Sequence, residues 1–370
     1  MKKVVGSVLA LVVVAVAGLG IWFVAEYRGA RVDTVGKVDF DRPMAIPEIA
    51  GSTVEADGTR VFELDIQKGT TDLGKAQPTR TWGINGPFLG PTLRASRGEK
   101  VRIEATNSLG EPTTLHWHGM HLPAEMDGGP HQMIEAGATW EPHWEINQPA
   151  ATLWYHPHLH GETASHVYNG LAGLFILDDP SESDLGLPDT YGVDDLPVMV
   201  QDKNFDDDGQ FDDSHSIFSN LGVLGEEILV NGTPSPYAEV GTESVRLRLL
   251  NGSGGRTFNF TFDDARTFEL IATDGGLLDA PAAMDRLQLA PGERAEIVVD
   301  FSPGRRPFSA ARSWPETATA SPAVTPVSTS CSCVRPRPSL LRRTCPGPLP
   351  PSIASTRQLR RRLEALSCRA

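Results

Sequence analysis

Between residues 55 and 303, short alternating apolar stretches are cut off again and again by turn-forming residues, and this constrains the fold more than any other feature. In the first half the stretches fall at 61–66, 100–105, 114–117, 152–156 and 173–177. Turn signals separate them, among them Asn85-Gly86-Pro87, residues 107–110 and Asp127-Gly128-Gly129-Pro130. A period of two marks a strand with one buried face, and many short strands between turns close into a β-sandwich or barrel of the Greek-key kind. A second block repeats the pattern at 197–201, 227–230, 245–250, 257–262, 268–272 and 295–301. Asp178-Asp179-Pro180 and the polar cluster up to Asp189 read as a linker. The expectation is an all-β protein with one domain over 55–180 and another over 188–303, preceded by a polar approach over 28–54.

Charge is distributed unevenly. The whole chain carries 33 Lys+Arg against 47 Asp+Glu, a formal net charge of −14. That balance argues against non-specific binding to nucleic acid. From residue 303 onward there are twelve Arg, no Lys and two acids, Glu316 and Glu364. All four cysteines (Cys331, Cys333, Cys345 and Cys368) lie in that segment, with eleven prolines and no apolar period. Residues 304–370 are therefore expected to form a disordered basic tail. Its composition is what an out-of-frame reading of a G+C-rich gene produces, and a frameshift is preferred over a genuine tail.

Lys2 and Lys3 precede an uncharged apolar run over 4–24. A helix of that length matches a bilayer core, and its positive flank would stay in the cytoplasm. Residues 1–27 thus read as a signal anchor, with a cleaved signal peptide ending at Ala15-Val16-Ala17 as the competing reading. No twin-arginine pair precedes the run. Either way the protein is exported to the cell envelope, membrane-anchored or secreted.

Five of the ten histidines fall in two groups, Leu115-His116-Trp117-His118-Gly119 and Trp154-Tyr155-His156-Pro157-His158-Leu159-His160-Gly161. On a strand, residues i and i+2 share a face, so each His-x-His aims two imidazoles at one volume. Two such strands side by side would converge four of them. Imidazole suits copper, zinc, iron or nickel, so the spacing indicates a metal without choosing one. His121, His131, His143, His166 and His215 have no partner at ligand spacing and are expected to be surface or hydrogen-bonded residues. Residues 204–213 have the outline of a calcium loop. They begin with Asn and are followed by His215 where the closing bidentate acid belongs, so an acidic hairpin is the better reading.

Residues 85–92, His116-Trp117-His118-Gly119, Asp127-Gly128-Gly129-Pro130 and Trp154-Tyr155-His156-Pro157-His158 together resemble domain one of the multicopper oxidases, of the bacterial copper-efflux oxidase and laccase type. Residues 196–203, Leu229-Val230-Asn231-Gly232, residues 247–252 and residues 274–278 extend the resemblance through a second domain. It implies cupredoxin-like sandwiches and copper as the cofactor. It implies His116 as a type 2 copper ligand, and His118, His156 and His158 as ligands of a type 3 pair. Asp127 is either a proton relay beside the cluster, as the resemblance implies, or a turn residue before two glycines. His160 is not a ligand in that pattern.

The family activity is single-electron oxidation of phenols or cuprous ion coupled to reduction of dioxygen to water. It uses eight histidines around three coppers, with a His-Cys-His motif at the type 1 site. This sequence has no histidine beyond His215, and Cys331-Ser332-Cys333 has no histidine neighbour. A truncated, inactive enzyme is therefore expected. The alternatives are a non-catalytic structural or binding protein of the envelope, like the multicopper-oxidase-fold cell-division proteins, and a two-domain laccase. The latter is set aside because it too needs His-Cys-His.

Overall fold

The strand Arg60–Thr71 shows how alternation becomes architecture: Phe62, Leu64 and Ile66 are buried while Glu63 between them is exposed. The strand Lys100–Asn107 runs parallel beside it and buries Val101, Ile103, Ala105 and Asn107. A computed structural model describes residues 2–29, 39–214, 222–301, 361–363 and 366–369. His215 and most of the cysteine-bearing segment lie outside the described residues.

The first sandwich packs a sheet built on those two strands against a second sheet. The second sheet has the order Leu93–Ser96, Gly173–Asp178, Ala151–His156, His116–His118. Its core includes Phe62, Ile66, Ile103, Trp117, Trp144, Tyr155 and Phe175. Burial of each large apolar side chain contributes about 1.5–3 kcal/mol. The second sandwich is built on a seven-stranded sheet with Asp195–Lys203 and Ser244–Asn251 near its centre. Val198, Leu247, Leu249, Phe258, Phe260, Ile297 and Val299 fill it.

Two strands of the first sandwich, Ala151–His156 and Gly173–Asp178, and two of the second, Asp195–Lys203 and Ser244–Asn251, are buried on both faces, and this joins the sandwiches. In Ala151–His156, Leu153 and Tyr155 face the first core, while Trp154 joins Leu174, Met199 and Leu250 in a bridging cluster. From Ser244–Asn251, Arg246 and Arg248 point out of the second core into an ion-pair network. Arg248 donates to both carboxylate oxygens of Asp195, at 2.6 and 3.0 Å, and to Glu296 at 3.0 Å. Thr152 of the first sandwich donates to the same Glu296 oxygen at 2.6 Å.

Two segments differ from the sequence reading. The approach over 28–54 is not a free linker where it is described. Arg42–Pro43 pairs with Pro236–Val240, Met44 and Ile46 pack on the second core, and the Ala50 amide donates to the Thr92 carbonyl at 2.9 Å. It straps the two sandwiches together. Within the tail expected to lack structure, Arg361–Leu363 pairs with Pro236–Val240 and Leu366–Arg369 with Phe258–Phe262. The physical reason is that those edges offer unpaired backbone groups, which template an added strand.

The segment expected to act as signal or anchor forms the helix Lys2–Gly29. Among the described residues no helix is long and apolar enough to cross a membrane. Residues 204–213 form a hairpin with a Phe205–Phe211 bridge, and the Asp206 carboxylate accepts the amides of Asp208 and Gln210. Its acid is thus engaged by its own turn.

Candidate metal centre

His116 and His118 flank Trp117 on one strand, so the core that takes the indole turns both imidazoles to the opposite face. Trp117 is 1% exposed, packs against Trp144 and Tyr155, and donates its Nε1–H to the Met126 carbonyl at 3.1 Å. The neighbouring antiparallel strand pairs His156 with His116 and Trp154 with His118. His158 follows on the same segment, its amide held by the Thr114 hydroxyl at 2.6 Å.

The four rings converge. The His116 centroid lies 5.7 Å from that of His118, 5.4 Å from His156 and 5.2 Å from His158. Those of His118 and His156 are 5.4 Å apart, and those of His156 and His158 are 5.9 Å apart. Donor atoms of His116, His118 and His156 all lie within 4.8 Å of one another. His158 stands at the edge of this trio.

Backbone carbonyls choose the tautomers. His116 Nδ1 lies 2.9 Å from the Asp127 carbonyl and His156 Nδ1 lies 2.7 Å from the Pro157 carbonyl, so each Nδ1–H donates and each Nε2 keeps its lone pair. His156 Nε2 is 3.1 Å from His118 Nδ1. Two nitrogens bound to one tetrahedral ion at 2.0–2.1 Å would stand about 3.3 Å apart. The donor set therefore fits a metal shared by His118 and His156 through different ring nitrogens.

Burial keeps these rings neutral, the form that binds metal. It pushes His118 down to about 4, helped by the nearby Arg294 guanidinium, and holds His156 well below the usual histidine range. Trp154 stacks on His156 with centroids 3.9 Å apart.

Asp127 lies beside the cluster, its carboxylate 3.3 Å from His116 Nδ1 and its side chain 37% exposed. Gly128 explains the approach: its φ is +73°, and a Cβ there would come within 1.8 Å of the Leu115 carbonyl oxygen. Only glycine lets the loop lie this close to the ligand strand.

The spacing of the motifs did not point to residues from the second sandwich. Gly292 packs against the His118 ring, where an added Cβ would sit 3.3 Å from Cε1. Arg294 donates to the Thr152 carbonyl and pairs with Asp274. Nothing local in residues 290–294 marks them as neighbours of a site. Of the other histidines, His166 is buried against the Thr113 hydroxyl at 3.0 Å, and His121 and His143 are exposed. His131 and His160 do have a partner, because their rings stack on each other.

Two family models, both described as multicopper oxidase, match residues 65–182 and 219–325. The chain is similar to a cell division protein FtsP of Xenorhabdus nematophila, with 43% identity over 67% of this chain and 52% of that one. It is also similar to a multicopper oxidase of Staphylococcus haemolyticus, with 42% identity over 69% of this chain and 56% of that one. Among solved structures, a laccase from Pediococcus acidilactici aligns with a TM-score of 0.68 and 37% identity, covering 72% of this chain and 59% of that one. A laccase-like multicopper oxidase from Ochrobactrum sp. aligns at 0.67 and 40%, covering 71% and 58%. The chain thus spans little more than half the length of the relatives it matches.

Proposed function

The chain belongs to the multicopper oxidase family, and from that membership we propose that His116, His118, His156 and His158 are copper ligands supplying half of an oxygen-reducing cluster. The observation that carries this is the convergence of imidazole donor atoms whose tautomers are set by the carbonyls of Asp127 and Pro157. His118 and His156 would hold one copper between them, His158 would complete the type 3 ligands from this chain, and His116 would hold the type 2 position. When bound, copper would supply one-electron redox chemistry, which in intact members of the family couples oxidation of phenols or cuprous ion to reduction of dioxygen to water.

The chain's own residues orient and protect. Trp117 and Trp154 exclude water from the faces of the ligand strands. Asp127 holds its carboxylate beside His116 and, half open to solvent, passes protons between bulk water and the site. Export through the segment 1–27 places the protein in the cell envelope, with membrane attachment if that segment is uncleaved.

The similarity to a protein named for cell division favours a second reading, a non-catalytic envelope protein on the same sandwiches. Copper binding separates the two. The metal-stripped chain should take up copper, as read by paramagnetic resonance and metal analysis, and His156→Ala should lose the share held by the four-histidine cluster. Equal retention by wild type and by a variant lacking all four histidines would overturn the copper reading. The family cluster takes eight histidines and this sequence matches four of those positions, so the chain alone should bind copper without oxidising a phenol. Turnover above a His118→Ala control would contradict that expectation.

A further inference from the structure

His131 and His160 belong to neither ligand pair, yet the fold stacks their rings with centroids 5.9 Å apart and planes 18° from parallel. Both side chains are exposed. Their loops are tied at this point, since the His160 amide donates to the Pro130 carbonyl at 3.2 Å. The ring separation equals that between His156 and His158 and lies close to the 5.2 Å of the tightest pair in the cluster. Two imidazoles so spaced can share one ion after rotation about χ2, a broad torsion that exposure leaves free.

Position gives the pair its meaning. His131 lies on the loop whose Asp127 carbonyl orients His116, and His160 follows His158 by two residues. The two segments that carry the pair are therefore the same two that carry or orient cluster ligands.

We propose that His131 and His160 form a surface site for a single first-row transition-metal ion, copper(II) being held most tightly, and that it captures copper for delivery to the four-histidine cluster. Among divalent first-row ions, copper(II) heads the affinity order for nitrogen ligands. With two protein ligands the remaining positions belong to water, so the ion exchanges readily, as a capture site requires. In the cluster His156 is only 5% exposed, while His116, His118 and His158 are half-buried. The delivery half of the proposal rests on the copper reading of that cluster, whereas the binding half does not.

The test uses the metal-stripped full chain and copper(II) sulfate alone. Three variants are compared with wild type: His131→Gln/His160→Gln, His116→Ala/His156→Ala, and the combination of all four changes. The cluster variant should keep one loosely held copper showing nitrogen hyperfine coupling, and the combined variant should lose it. With the cluster intact, His131→Gln/His160→Gln should slow loading from limiting copper while leaving the copper finally retained unchanged. In the unmutated chain, substoichiometric copper(II) should broaden the imidazole proton resonances of His131 and His160 before those of the cluster. A cluster variant that binds no copper, or whose copper is indifferent to His131 and His160, overturns the surface site. Unchanged loading kinetics overturn delivery. A wild-type chain whose copper sits only on His131 and His160 overturns the cluster reading and leaves the surface site standing.

Discussion

At the scale of single residues, the fold places an ionisable group where its charge is costly. Lys203 is buried, donates to the Tyr168 carbonyl at 2.5 Å and lies over the Tyr168 and Phe211 rings. Burial lowers it from the usual 10.5 to about 7, with Asp202 opposing the shift. Between those two values the unfolded chain holds a proton that the folded chain lacks, so wild-type stability rises with pH across that window. The rise is at most about 1.4 kcal/mol per pH unit. Lys203→Met removes this term. Urea denaturation at about pH 6 and about pH 9 should show the variant's stability relative to wild type falling as pH rises. A difference independent of pH would mean that Lys203 is not buried as described. His116 and His156 show a different use of burial, because their orienting acceptors are backbone carbonyls that titration cannot remove.

At the scale of elements, the strands Ala151–His156 and Ser244–Asn251 each serve two neighbours, and side-chain alternation divides the work. One face of each fills its own sandwich, while the other carries Thr152, Trp154 and His156 or Arg246 and Arg248. Glu296 accepts from Arg246, Arg248 and Thr152, and its two arginine partners hold its carboxyl below the usual range against the effect of burial. Glu296→Ala would leave two buried guanidinium groups short of a counter-charge. The expected loss is about 3–5 kcal/mol in chemical denaturation, with an earlier midpoint. A loss below about 1 kcal/mol, the range of surface ion pairs, would show that the network is solvated.

At the scale of the whole molecule, the sandwiches are held by more than their shared interface. Residues 42–50 run from the edge of the second sandwich to the first, with Met44 and Ile46 on the second core and Asn231 donating to the Ala45 carbonyl at 2.8 Å. Ile46→Asp sets a charge against that apolar surface. It should destabilise the protein by about 1–3 kcal/mol and open residues 39–50 to limited proteolysis. Cleavage at the wild-type rate would mean that the strap contributes no restraint.

The sequence by itself determined the features that depend on local periodicity. Alternation at 61–66 and 100–105 places Phe62, Leu64, Val101 and Ile103 inside, and His-x-His about Trp117 sends two imidazoles to one side, because a strand repeats every two residues. Motif resemblance reached the family for the same reason, since its signature residues stand close together in the chain. Tertiary structure alone decided which distant loops meet. Gly292 and Arg294 reach His118 from the other sandwich, His131 stacks on His160, the strap over 42–50 docks, and two short strands near the end of the chain add to exposed edges. None of these has a local pattern, because each follows from how two sandwiches pack and which sheet edges that packing leaves unpaired.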